Sequence, residues 1–173
     1  MENKWVERKF EFDFDFKIYP NFIERLAATP DLLDILILSI PKKFYKIKNG
    51  KEWSIQENVG HLVSVDDLFI GRLDDYEKGA SELRPADVSG ARTEKEDFNS
   101  QEIKMLLQRF REKRMIFIER LDKLNDGMFK KVAWHPRLKK PMRLCDMLYF
   151  QAEHDDHHLH KIRLIEEKLH ECT

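Results

Sequence analysis

Cysteine is scarce in this chain of 173 residues: only Cys145 and Cys172 occur. Neither belongs to a CxxC pair, so a disulfide framework is excluded and a reducing, cytoplasmic compartment is expected. Glycine and proline number six each, too few for a low-complexity or fibrous chain. There is no long apolar run. The richest stretch, Leu32 to Ile40, is interrupted by Asp34 and is too short to span a bilayer. Met1 to Phe10 carries charges throughout and has no apolar centre, so it does not read as a signal peptide. Excess charge of one sign is missing too. Lys and Arg total 31, Asp and Glu 32, for a formal net charge of -1. A nucleic-acid backbone finds no global basic surface, and the basic stretch Arg109 to Arg114 is broken by Glu112.

What the chain does have is helix-rich amphipathic sequence, 42% hydrophobic and 36% charged, enough to bury a core as one domain over residues 1–173. Phe10, Phe12, Phe14 and Phe16 alternate with acidic residues, a period of two that predicts an extended segment, either a short strand or an arm across the core. Tyr19-Pro20 opens a helix that Pro41 stops, bent or broken near Thr29-Pro30. Ser54 with Glu57 forms a capping box for a second helix running to about Tyr76. The polar stretch Ala80 to Asn99 reads as a long crossing loop that walls a site. Asn99 with Glu102 again resembles a capping box, starting a third helix to about Leu124. Phe129 to Met142 reads as a loop or small hairpin, and a fourth helix spans about Arg143 to Leu169. Four long helices with little strand predict an all-α four-helix bundle with an extended N-terminal segment.

Histidines carry the chemical signal. His154 and His158 are four residues apart, so both imidazoles face the same side of a helix and lie on its apolar stripe. Two such rings can chelate one ion, and a metal removes the cost of burying them. His61, among Val59, Leu62 and Val65 on the second helix, supplies a third ring if the helices face each other. Three protein ligands leave a coordination position open, as catalytic metal sites do. His157 and His160 fall off the shared stripe, His157 on the solvent side or beside the pocket. His135 is a candidate for the pocket mouth, and Glu57 for the pocket. Glu153, Asp155 and Asp156 read as surface charges, Asp66 as out of phase with His61, and Cys145 as too far along the helix to join the site. His170, in the tail, is given no role.

Three segments resemble one family. Trp53-Ser54-Ile55-Gln56-Glu57-Asn58-Val59-Gly60-His61-Leu62 is similar to the second helix of the DinB-like superfamily. Glu153-His154-Asp155-Asp156-His157-His158 resembles its last-helix signature, and Trp134-His135-Pro136 to Leu148 the segment before it. The resemblance covers about residues 20–168. It implies an up-down-down-up bundle, often homodimeric, and assigns His61, His154 and His158 as ligands of one divalent ion, zinc or nickel. It also implies a small-molecule substrate.

Three neutral imidazoles leave the ion a strong Lewis acid, able to bring a water's pKa to about 7 or to hold a thiol as thiolate. The ligand set alone does not choose between the two; metal-dependent hydrolysis, the activity the resemblance attaches to many family members, is placed first because it assumes no thiol. The alternative, which the resemblance implies for other family members, is S-transfer from a low-molecular-weight thiol such as bacillithiol or mycothiol to an electrophile. A third reading, of another class, is a non-catalytic metal-binding or ligand-binding module. Hydrolysis asks for a proton acceptor, and Gln56, Glu57 and Asp66 are the candidates.

Overall fold

The computed structural model describes residues 5–87 and 90–171, so Cys172, with Val88 and Ser89 of the crossing loop, lies outside the described residues. Four long helices form the bundle: α1 (Tyr19–Ser39), α2 (Ile55–Glu77), α4 (Ile103–Leu121) and α6 (Leu144–Glu171). Two short helices, α3 (Ala91–Lys95) and α5 (Asp126–Phe129), and a hairpin of β1 (Val132–His135) and β2 (Lys140–Arg143) join them. Both α1 and α2 pack against α4 and α6.

The helix ends follow local chemistry. Ser54 caps α2 through a complete capping box: its hydroxyl accepts from Glu57 N, and Glu57 Oε2 accepts from Ser54 N. The second expected box is absent. Glu102 caps α4 without a side-chain bond, and Asn99 instead accepts from the Ser54 hydroxyl at 2.8 Å. The α4 helix also stops at Leu121, and Asn125-Asp126-Gly127 leads into the single turn of α5.

The expected break in α1 does not occur; the helix runs through Pro30. Proline has no N–H to give the carbonyl four residues back, here that of Leu26. That carbonyl accepts instead from Arg114 Nη1 at 2.8 Å. A side chain from a neighbouring helix thus repairs the bond that Pro30 removes.

The Phe-rich segment is an arm rather than a strand. Phe10 is buried, while Phe12, Phe14 and Phe16 are partly buried against the same core. Lys140 donates to Phe10 O, and Arg143 to Phe12 O and Phe14 O, so hairpin side chains hold the arm's backbone. The hairpin pairs antiparallel from Val132↔Arg143 to His135↔Lys140.

Two apolar clusters fill the interior. One, under the arm and hairpin, includes Leu26, Phe69, Phe117 and Leu148. The other includes Leu33, Leu62, Phe110 and Ile162. Along each long helix the residues between these clusters are polar and buried: Thr29, Asp66, Arg114, Gln151, His154, Asp155 and His158. Such a layer is stable only where its members satisfy one another. No described helix is long and apolar enough to cross a membrane.

Candidate metal centre

His61 sits in mid-α2, and His154 and His158 lie one turn apart on α6. Helix periodicity aims the two α6 rings together, and packing of α2 against α6 brings the third to them. One ring nitrogen from each histidine lies within 4.8 Å of the others. His61 Nε2 and His154 Nε2 are 3.4 Å apart. Ring centroids are separated by 5.3 Å for His61–His154, 4.7 Å for His61–His158 and 4.6 Å for His154–His158.

Two rings are oriented through their other nitrogen. Asn58 Nδ2 donates to Ser54 O at 2.8 Å, which leaves Asn58 Oδ1 to accept from His158 Nδ1 at 2.8 Å. His158 therefore keeps its Nε2 lone pair for the centre. His61 Nδ1 lies 3.1 Å from the hydroxyl of Thr93 on α3. His154 is held by packing: the Trp5 ring lies 5.0 Å from it, and its buried Nδ1 has no partner among the described residues. Burial foremost, then Lys161 and His157, pushes His61 down to about 4, against the pull of Asp87. Burial and neighbouring rings hold His154 and His158 well below the usual histidine range. Three neutral imidazoles with converging lone pairs repel one another and suit a cation.

The rings open onto a cavity of about 280 Å³. Trp5, Trp53, Phe69 and Phe150 make apolar walls, and Arg72, His135, Arg137 and Lys161 bring positive charge or N–H donors. Asp87 is the one carboxylate among the described lining residues.

The family model of the DinB superfamily matches residues 25–162. The chain belongs to the DinB superfamily. YfiT from Bacillus subtilis, described as a probable metal-dependent hydrolase with an unusual four-helix bundle topology, has a similar structure. The TM-score is 0.81 at 20% identity, over 94% of this chain and 93% of that one. This likeness shows that the DinB-superfamily chain shares the YfiT fold. No curated protein matches the sequence.

Other expected residues of this DinB-superfamily chain fall in different places. His135 and His157 line the cavity, with His157 tilted against Trp5 at 5.5 Å. Glu57 does not line it: its carboxylate is held by Ser54 N and by Lys48 Nζ at 2.8 Å. Gln56 is likewise engaged, donating to Phe98 O and Gln101 O. Cys145 is buried, which pushes its thiol up to about 12.

Asp155 is not a surface charge. It is buried, with its carboxylate on Arg114 Nη1 at 2.6 Å and on the Thr29 hydroxyl at 3.1 Å. Asp66 holds the other side of Arg114 at 2.9 and 3.1 Å. Out of phase with His61, Asp66 faces the polar layer, and its next-door position to Val65 hid that role. Glu153 and Asp156 both pair with Arg25.

The sequence reading missed Asn58, Arg72, Asp87, Thr93 and Arg137. Helical phase could have found Arg72, eleven residues after His61 and so within about 20° of it around α2. No local signal marks the loop residues.

Proposed function

We propose that this chain is a metal-dependent hydrolase of small molecules, with His61, His154 and His158 holding one divalent cation, zinc or nickel. The observation that carries this reading is the set of three ring nitrogens within 4.8 Å at the wall of a cavity. Structural zinc sites close with four protein ligands, and the described cluster offers three, which favours a catalytic site over a storage or structural one. When bound, such a cation supplies Lewis acidity, enough to bring a water's pKa to about 7.

The chain's own residues do the rest. Asn58 and Thr93 hold two of the rings in place, as partners of metal-binding histidines commonly do. Trp5 and Trp53 pack beside the rings and limit solvent access. Asp87, whose carboxylate accepts from Arg92 N on the cavity wall and acts on His61, is the candidate to accept a proton from the nucleophile. That carboxylate favours hydrolysis over thiol S-transfer, which asks for no separate base.

The reading includes one domain over residues 1–173 and a cytoplasmic homodimer. Leu32, Ile35 and Leu38 on α1 are exposed large apolar residues that a second copy would cover. The deciding experiment loads the protein with zinc or nickel and assays esters and amides beside a set of cellular thiols paired with a model electrophile. Metal-dependent turnover of esters or amides alone supports hydrolysis. Turnover only with a thiol establishes the S-transferase instead. No turnover in either arm, with metal bound, leaves a binding module.

A further inference from the structure

Besides the imidazoles, the cavity is lined by Arg72, His135 and Arg137. Arg72 and His135 are each 1% exposed. Arg72 spends Nε on Arg84 O at 3.2 Å, yet its buried Nη2 has no hydrogen-bond partner. Arg137 donates through Nη1 to Val6 O, and its buried Nη2 is likewise unpartnered. His135 Nδ1 accepts from Leu138 N at 3.1 Å, so the ring's proton lies on Nε2. That Nε2 is the third buried donor without an acceptor.

Three unmet donors at one cavity wall, two of them on cations, form a site with a specific deficit. Leaving a buried donor unpaired is costly, and leaving a guanidinium without a counter-charge costs more. Among the described residues no carboxylate makes a direct ion pair with Arg72 or Arg137; Asp75, itself bound to Arg84, acts on Arg72 only through space. Asp87, the one carboxylate among the described lining residues, acts on His61. The mutual effect of the charges is visible as well. Burial and the two arginines push His135 down to about 3, and burial with Arg137 and Arg84, against the pull of Tyr76 and Asp75, brings Arg72 down to about 10. Phe69 and Phe150 lie under the two guanidinium groups, at 5.8 and 5.3 Å, and hold their planes.

We propose that Arg72, Arg137 and His135 form an oxyanion-binding subsite that takes a carboxylate or phosphate group of the substrate. Two guanidinium forks and an N–H donor match the lone pairs of such a group. The subsite deepens the hydrolase reading by naming the substrate class, and it rests on that reading only for calling the cavity a substrate site. His61 and Arg72 are separated by roughly 16 Å of α2 rise, less the reach of the arginine. Arg137 is nearer, since its charge acts on His154, so the substrate is a partly apolar molecule whose anionic group is held beside the same cavity as its reacting group.

The test is binding to the metal-free protein, followed by tryptophan fluorescence because Trp5 and Trp53 line the cavity. The probes are 3-phenylpropionate, phenyl phosphate and the neutral 3-phenylpropanamide. At least one anion should bind about tenfold tighter than the amide, as expected for charge-assisted hydrogen bonds. The tighter of the two anions names the substrate group. Arg72→Gln and Arg137→Gln should each remove that preference, and His61→Ala should keep it. If Arg72→Gln fails to fold by circular dichroism, Arg137→Gln and His135→Phe carry the test. Equal binding of anions and amide overturns the proposal, as does a preference lost only in His61→Ala. Neither outcome touches the metal reading, since no metal is present, and absent turnover in the loaded enzyme would leave this subsite standing.

Discussion

Replacing Arg114 with leucine tests the buried layer that joins the two halves of the core. Arg114 is 1% exposed and satisfies Asp66, Asp155 and the Leu26 carbonyl freed by Pro30. It also lies over the Phe110 ring at 4.8 Å. The substitution strands two buried carboxylates and one carbonyl. Removing one partner of a buried ion pair costs about 3–5 kcal/mol, and an orphaned carbonyl adds about 1–3 kcal/mol. We expect a loss of about 5 kcal/mol at pH 7, a large part of the roughly 5–15 kcal/mol a domain has. Urea unfolding followed by circular dichroism measures it. The pH dependence is a second readout. Burial already raises Asp66 and Asp155, because one guanidinium offsets two carboxylates only in part. Without Arg114 both rise further. A carboxyl raised by folding contributes stability that is present below its unfolded pKa of about 3.9 and lost as pH climbs through the folded value. The variant's deficit should therefore narrow on acidification from pH 8 to 5. A loss below about 1 kcal/mol, or a deficit that widens toward pH 5, refutes the reasoning.

Further outcomes are expected. His154→Ala should lower bound zinc at least about tenfold by elemental analysis, while His157→Ala retains it; equal metal content in His154→Ala and wild type would remove that ring from the centre. Asp87→Asn should keep the metal and slow ester turnover by roughly a hundredfold, and unchanged kcat would take the proton-accepting role away from it. Gly60→Ala should destabilise by about 1–3 kcal/mol, since its new Cβ would run into the Phe98 ring; a neutral melting temperature would mean that the ring moves freely. His135, pushed down to about 3, binds fewer protons folded than unfolded, so it costs stability as pH falls below about 6.5. In the metal-free protein, His135→Phe should thus lose less stability than wild type between pH 7 and 5, and parallel curves would contradict the shift.

Whatever depends on one helix alone could be read from residue spacing. The i, i+4 relation of His154 and His158 sets their common face, and Ser54 with Glu57 sets where α2 begins, because both are decided within a turn or two of backbone. The alternation of Phe10 to Phe16 likewise announced one apolar face, though not that side chains of the hairpin would hold its carbonyls. Packing decided what crosses between elements. It set α2 against α6 so that His61 reaches the other two rings, and it gathered Arg72, His135 and Arg137 around one cavity. It also turned Asp155, flanked by other charges in the sequence, toward Arg114. Periodicity fixes the direction of a side chain on its own helix, while the level at which two helices meet is chosen by the apolar surfaces they bury together. The Leu26 carbonyl shows the difference: Pro30 foretells that it loses its partner, and only the tertiary fold brings the guanidinium that replaces it.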